Sequence, residues 1–360
     1  MSFPALREVQ RQAGAQFHAD GYPLRFGQEQ ATENLLETGA VLFDRSHWGR
    51  LRLSGADRIR YLHNQSTNDI QSLRVGQGCD TVLVTSTGRT LDLLTAYVEP
   101  EWVTLILSPS SSGRIQQWLE KYIFFADQVT IQNHTETTAM FTLMGGQSQA
   151  IIAELGAAHL LGQPLGSHGL ITWNQVPFLI AVGSGLVNPG YTLILPIASA
   201  ADFWEWLLAK AVIPWGEQAW EWLRVRQGRP AVAAELTEDY NPLEAGLWHH
   251  ISFNKGCYIG QETIARLNTY QGVKQQLWGL KLTAPAPPGS PIYLGDEKVG
   301  LLTSYTHYFE REHWGLGYLR TKAGGAGLTV QIDGQTAQVV DIPLARRGYL
   351  SQLQGELGGF

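Results

Sequence analysis

The sequence predicts an α+β protein in which two similar α/β rounds are followed by a small β-barrel. Three observations predict it. Strand-period and helix-period runs alternate through the first two-thirds of the chain. A round of strand, helix, hairpin, strand and helix is followed by a similar one of strand, helix, two strands and helix, which suggests pseudo-repeated halves. After Gln276, short apolar runs are punctuated by Gly and Pro at the spacing of a barrel.

Taken in order, residues 1–20 read as a helix, with Leu6, Val9 and Ala13 at helical spacing, broken by Gly21 and Pro23. Ala31–Glu37 is a second helix ended by Gly39. Val41-Leu42-Phe43 is a short strand entering the polar turn Asp44-Arg45-Ser46, and Gly49–Gly55 alternates with the strand period. Asp57–Gln65 is a helix with Ile59 and Leu62 inward and Asp57 in its first turn. Gly76–Thr85 and Leu91–Val98 form a hairpin around Ser86-Thr87-Gly88-Arg89, Trp102–Leu107 is a strand, and Ile115–Phe124 an apolar-faced helix. The second round reads Ala139–Met144 strand, Ser148–Leu155 helix, Phe178–Ala181 and Tyr191–Leu195 strands, and Ser199–Ala209 helix. Trp220–Arg226 is a helix ended by Gly228, and Leu236–Gly246 a polar loop; Leu243–His250 adds a helical turn. The barrel strands are Leu277–Leu282, Pro291–Leu294, Gly300–Ser304, Gly315–Leu319, Leu328–Ile332 and Ala337–Asp341, with a rigid proline loop from Pro285 to Pro291.

At 360 residues the chain is too long for one ordinary core. The expected division is 1–275, splitting into subdomains of about 1–135 and 136–275, then the barrel at 276–345 and a loose Gly-rich tail at 346–360. Apolar residues make up 44% and charged residues 16%, which suits a soluble globular protein; the low cysteine count and the features of the N-terminus point to a reducing compartment, the cytoplasm. A net charge of −6 is no footprint for nucleic acid, so no direct nucleic-acid partner is expected. No run approaches the ~18 apolar residues of a membrane span, and residues 1–17 lack an apolar signal core. Two cysteines, Cys79 and Cys257, build neither a disulfide framework nor a four-ligand metal site, and no histidine falls in a metal-ligand motif. The twelve Trp read as apolar payload.

Chemistry concentrates in Lys255-Gly256-Cys257-Tyr258-Ile259-Gly260-Gln261-Glu262, followed by Thr263–Leu267, which reads as a helix. A tight turn feeding a helix start is expected, with Gly256 and Gly260 allowing backbone angles a Cβ forbids. The N–H groups there, with Lys255, favour an anion: the Cys257 thiolate or a ligand carboxylate. The bland alternative is a buried, inert cysteine in a turn.

This octapeptide, with Ala265-Arg266, resembles the signature of YgfZ-type folate-binding proteins, relatives of the aminomethyltransferase (T-protein) of glycine cleavage. Asp44–Gly49, Gly145-Gly146, Gly190-Tyr191, Arg224–Pro230 and Val299–Ser304 resemble further segments of that superfamily, in the same order along nearly the whole chain. The resemblance implies a T-protein-like, multidomain folate-binding fold. It implies tetrahydrofolate as ligand, contacted by Asp92, Asn188, Tyr191, Lys255, Gly256, Tyr258, Gly260, Gln261, Glu262 and Arg266. It also implies a role for Cys257 in assembly or repair of iron–sulfur proteins, including a tRNA-thiolating enzyme, with iron–sulfur clients or assembly proteins as partners.

Two departures matter. The T-protein Gly-Gly-x-x-Asp-Asp segment reads Gly88-Arg89-Thr90-Leu91-Asp92-Leu93, so one acid is lost. Asp92 either lines the pocket, bonding a pterin-like ring, or faces solvent. Asn188 stands where the family has a folate-contacting Glu, and it holds no charge. No glycine-cleavage transferase activity is therefore expected; the alternative is an aminomethyltransferase or another C1-transfer enzyme. Lys255 and Arg266 would lower the thiol pKa or clamp a folate carboxylate, unless Arg266 lies on a solvated helix face. Glu262 caps the helix or pairs with a cation.

Overall fold

The computed structural model describes residues 3–32, 34–308 and 312–351. They form two compact units that interleave along the chain. One is built from the chain up to His63, Ile70–Asp80 and Leu94–Trp220; the other from Asn64–Asp69, Thr81–Leu93 and the chain from Glu221 onward.

The two rounds are present and have the same plan. The first runs strand β1 (Trp48–Ser54), helix α1 (Arg58–Gln65), hairpin β2 (Gly78–Val84) and β3 (Thr90–Val98), strand β4 (Trp102–Pro109) and helix α2 (Ser112–Glu120). The second runs β5 (Thr138–Met144), α3 (Ser148–Glu154), hairpin β6 (His168–Trp173) and β7 (Val176–Val182), β8 (Gly190–Pro196) and α4 (Ala200–Ala209). Their sheets have equivalent orders, β2-β3-β4-β1 and β6-β7-β8-β5. Strand β6 was not anticipated; its exposed Leu170 and polar start at His168-Gly169 give it no apolar run. The first helix is shorter than expected, Pro4–Gln12, because the chain turns at Gly14 with φ +91°.

Each round has a leading strand, and the two are exchanged. Val41–Asp44, which precedes the first round, pairs antiparallel with β5 of the second. Thr130–Asn133, which precedes the second, pairs antiparallel with β1 of the first. The rounds, expected as subdomains of about 1–135 and 136–275, thus share strands, and the exchanging strands fall in one compact unit. Its core is dense in aromatics: Phe203 packs against Phe141, Phe178, Trp173 and Trp206 at ring separations of 5.0–6.5 Å.

In the other unit the six expected barrel strands close on themselves: Gln275–Leu282, Glu312–Arg320, Glu297–Tyr308, Pro291–Leu294, Thr329–Ile332 and Gln335–Val340. Closure leaves no unpaired edge, and Trp278, Leu280, Ile292, Leu302, Val330 and Val339 fill the interior. Part of the expected loose tail is packed, through Arg347, Tyr349 and Leu350. Arg347 is buried and donates to Gln276 Oε1, Leu277 O and Asp341 Oδ1; Leu350 is 1% exposed. Residues 352–360 of that tail lie outside the described residues. Among the described residues no helix is long and apolar enough to cross a membrane.

Candidate functional site

The Lys255–Glu262 segment is a turn that delivers the chain into helix Gln261–Thr269, and of its two glycines Gly260, not Gly256, takes a positive φ. Gly260 caps the helix in the left-handed conformation, φ +79°. A Cβ there would lie 2.4 Å from the Thr85 carbonyl oxygen. Gly88, φ +73°, completes the contact from the hairpin loop; its own Cβ would press on Thr263 at 3.1 Å. Ile259 N donates to Asn64 O at 3.2 Å. The motif is therefore fixed by backbone approach to residues 64 and 85–88.

Lys255 holds the other end. Its ammonium donates to Ser66 O at 2.7 Å and Asn68 O at 2.8 Å, and lies 5.1 Å from the Tyr258 ring centre. Lys255 thereby braces the turn, and its ammonium keeps its charge two residues from Cys257. Tyr258 is buried, which pushes its hydroxyl above the ordinary value. Cys257, between these fixed points, is exposed, as is Gly256, so the inert buried cysteine is excluded. Gln261 is half-buried, while Glu262 and Arg266 are exposed and form no ion pair among the described residues. Arg266 takes its place on a solvated helix face. Cys79 is half-buried in β2, beside Asp80, whose carboxylate accepts from Thr95 Oγ1 at 2.5 Å.

Asp92 has no exposed surface, so the solvent-facing alternative falls. Its neighbour Leu93, 3% exposed, packs into an apolar cluster with Val82, Val84, Tyr240 and Ile264. Opposite faces of one strand thus carry an acid and a core residue. The start of β3 is pinned by Thr90 N donating to Tyr240 O at 2.9 Å and Arg89 Nη1 donating to Asp239 O at 2.8 Å. Asn188 and Tyr191 belong to the other compact unit. The Asn188 carbonyl accepts from Ser184 Oγ at 2.7 Å, and Tyr191 is buried on β8, where burial raises its hydroxyl pKa.

One group was not anticipated. Glu235 is fully buried and accepts from Thr303 Oγ1 and Ser304 Oγ, both at 2.6 Å, from Ala231 N at 3.0 Å and from Arg224 Nη1 at 3.2 Å. Arg224 also donates to both Glu221 carboxylate oxygens and to Ser304 Oγ. Tyr318 donates to Glu235 O at 2.9 Å and stacks on Tyr240 at 3.6 Å. Two segments noted separately in the sequence, Arg224–Pro230 and Val299–Ser304, meet on this acid. Its signal was a single carboxylate in the apolar run Ala231–Leu236.

The Asp44–Gly49 segment is a buried polar corner. Burial would raise the Asp44 carboxyl, but Arg7, Gln10 and Ser46 N hold it below its ordinary value. Arg45 reaches Glu217 Oε2 at 2.7 Å and lies over the Trp48 and Trp220 rings at 4.2 and 3.6 Å. Burial, with Arg45 adding to it, keeps the His47 ring neutral, well below its ordinary pKa of 6.5.

Residues 10–255 match the family model of the GCVT N-terminal domain. The chain belongs to this family. A chloroplastic protein of Arabidopsis thaliana, named as a candidate transferase, is 44% identical over 93% of this chain and 78% of its own length. An aminomethyltransferase of Listeria monocytogenes is 29% identical over 79% of each chain. The glycine cleavage aminomethyltransferase of Bartonella henselae shares the fold, with a TM-score of 0.83 at 22% identity, covering 95% of this chain and 98% of that one.

Proposed function

We propose that this protein is a tetrahydrofolate-binding member of the family that serves iron–sulfur enzymes through the Cys257 thiol, in the manner of YgfZ-type proteins. The observation that carries the reading is the exposed Cys257 held between two fixed points, Lys255 and Gly260. A thiol on a rigid loop is presented to a partner rather than packed away. As a soft ligand or nucleophile it can take iron, sulfur or a cluster edge as cargo, with further ligands supplied by the client.

Membership of the GCVT family supports folate as the ligand, and a carboxylate such as that of Asp92 is the type of acceptor that the adjacent N–H donors of a pterin ring require. Leu93 in the core and uncharged Asn188 weigh against aminomethyl transfer, since both stand where the transferases carry acids. Clients would include a tRNA-thiolating iron–sulfur enzyme. The test is complementation: a deletion strain is restored with wild type or Cys257→Ser, and iron–sulfur enzyme activity is read. Full rescue by Cys257→Ser sinks the thiol mechanism.

One observation favours a second reading, C1 transfer: the match to aminomethyltransferases extends over 79% of the chain. Turnover of an aminomethylated lipoyl protein by the purified protein would establish it.

A further inference from the structure

At one end of the barrel, three rings meet on a single face. His307 and His313 are direct partners across the hairpin formed by Glu297–Tyr308 and Glu312–Arg320. Directly opposed residues in an antiparallel pair have Cβ atoms about 4.5–5.5 Å apart and project to the same side. Tyr305, two residues before His307, shares that side. The ring centres form a nearly equilateral triangle: Tyr305–His313 6.0 Å, Tyr305–His307 6.2 Å and His307–His313 6.4 Å. Tyr305 also packs against the barrel core, so this face continues the barrel interior at its mouth. Gly315 lies opposite Tyr305, and Leu302 occupies its side-chain position: a Cβ there would lie 2.6 Å from Leu302 Cδ1.

We propose that His307 and His313 form a binding site for a divalent transition metal of the zinc class, with Tyr305 as a positioning residue. Imidazole is the commonest protein ligand for such ions, with metal–nitrogen distances of about 2.0–2.1 Å. Tyr305 Oη lies 2.6 Å from His313 Nδ1. With the proton on Nδ1, His313 donates to the phenol oxygen, and Nε2 keeps its lone pair for the ion. Metal-bound histidines are oriented by such a bond through their other nitrogen. His307 is exposed and His313 half-buried, so an ion reaches the pair from solvent and leaves room for water or a partner's ligand. No three His, Cys, Asp or Glu gather into a metal-holding group among the described residues, which makes this a two-imidazole site with open positions. A bound ion would fasten the two longest strands of the barrel together near their turn.

The test is calorimetric titration of the full chain with zinc chloride, and with Co²⁺ followed by visible absorption. Both use a Cys257→Ser background, so that the exposed thiol takes no part. The expected result is one zinc per chain, abolished by His307→Ala and by His313→Ala and about tenfold weaker in Tyr305→Phe. The control His249→Ala, at an adjacent histidine pair elsewhere, should bind like its parent. Circular dichroism verifies that each variant is folded. Absence of saturable zinc binding, or binding that survives His307→Ala with His313→Ala, overturns the proposal.

Discussion

Gly260 and Thr85 approach so closely that a methyl group on Gly260 would come within 2.4 Å of the Thr85 carbonyl oxygen. This contact fixes the loop bearing Cys257 against the loop leading into the Asp92 strand. Gly260→Ala meets two penalties, a left-handed φ of +79° and a backbone clash that no rotamer relieves. It should cost about 2 kcal/mol or more, lowering the melting temperature by roughly 4–8 °C. An unchanged melting temperature would show that the helix start shifts freely.

Asp92 should govern folate affinity. Losing a charge-assisted hydrogen bond at a buried position costs about 1.5–3 kcal/mol, or roughly 10–150-fold in Kd. Calorimetry with tetrahydrofolate should show that weakening in Asp92→Asn. Equal affinity would remove Asp92 from the ligand site.

The thiols should differ in accessibility. Cys257 is exposed and Cys79 half-buried in a strand. A maleimide reagent added to the folded protein should label Cys257 first, and Cys257→Ser should abolish the fast phase. Cys79→Ser should leave that phase unchanged and be nearly silent for stability. Preferential labelling of Cys79 would contradict the geometry.

Glu235 should be the most sensitive buried acid. Removing one partner of a buried ion pair costs about 3–5 kcal/mol. Glu235→Ala should lie at the lower end, because Glu221 still faces Arg224. Chemical denaturation of the variant measures it, and a cost below about 1 kcal/mol would mean that the network is dispensable.

Acid should loosen the Asp44–Gly49 corner in two windows. The folded pKa of His47 is depressed, so the stability from its neutral ring is complete above about 6.5 and declines as pH falls below that value. The Asp44 carboxyl is also held low, so its contribution persists to more acid pH and is lost as pH falls through its folded value. Each group contributes at most about 1.4 kcal/mol per pH unit. His47→Gln should flatten the melting-temperature profile between pH 6.5 and 5 while leaving the lower window. Superimposable profiles would assign the loss to other groups.

Local features of the site were legible in the sequence, and long-range ones were not. The turn and helix start could be read from Gly256, Gly260 and the run after it, because a left-handed cap is a local demand. The partners of Lys255 could not, since Ser66 and Asn68 lie 189 and 187 residues away. Likewise Arg224 and Ser304 stood out in separate segments, but nothing local indicates that both converge on Glu235. The barrel was legible because glycines and prolines mark most of the breaks between its strands. Strand β6 was hidden because only one of its faces is apolar.

The exchanged leading strands bear on how the chain is made. Val41–Asp44 emerges from the ribosome roughly 100 residues before its partner Thr138–Met144, a wait of roughly 5–20 seconds at ordinary elongation rates. Throughout that interval an apolar Val-Leu-Phe segment has no sheet to join, which makes it a natural client for a nascent-chain chaperone. A chain cut between the rounds would yield two fragments, each carrying the strand the other lacks. Such fragments should recover structure only when mixed.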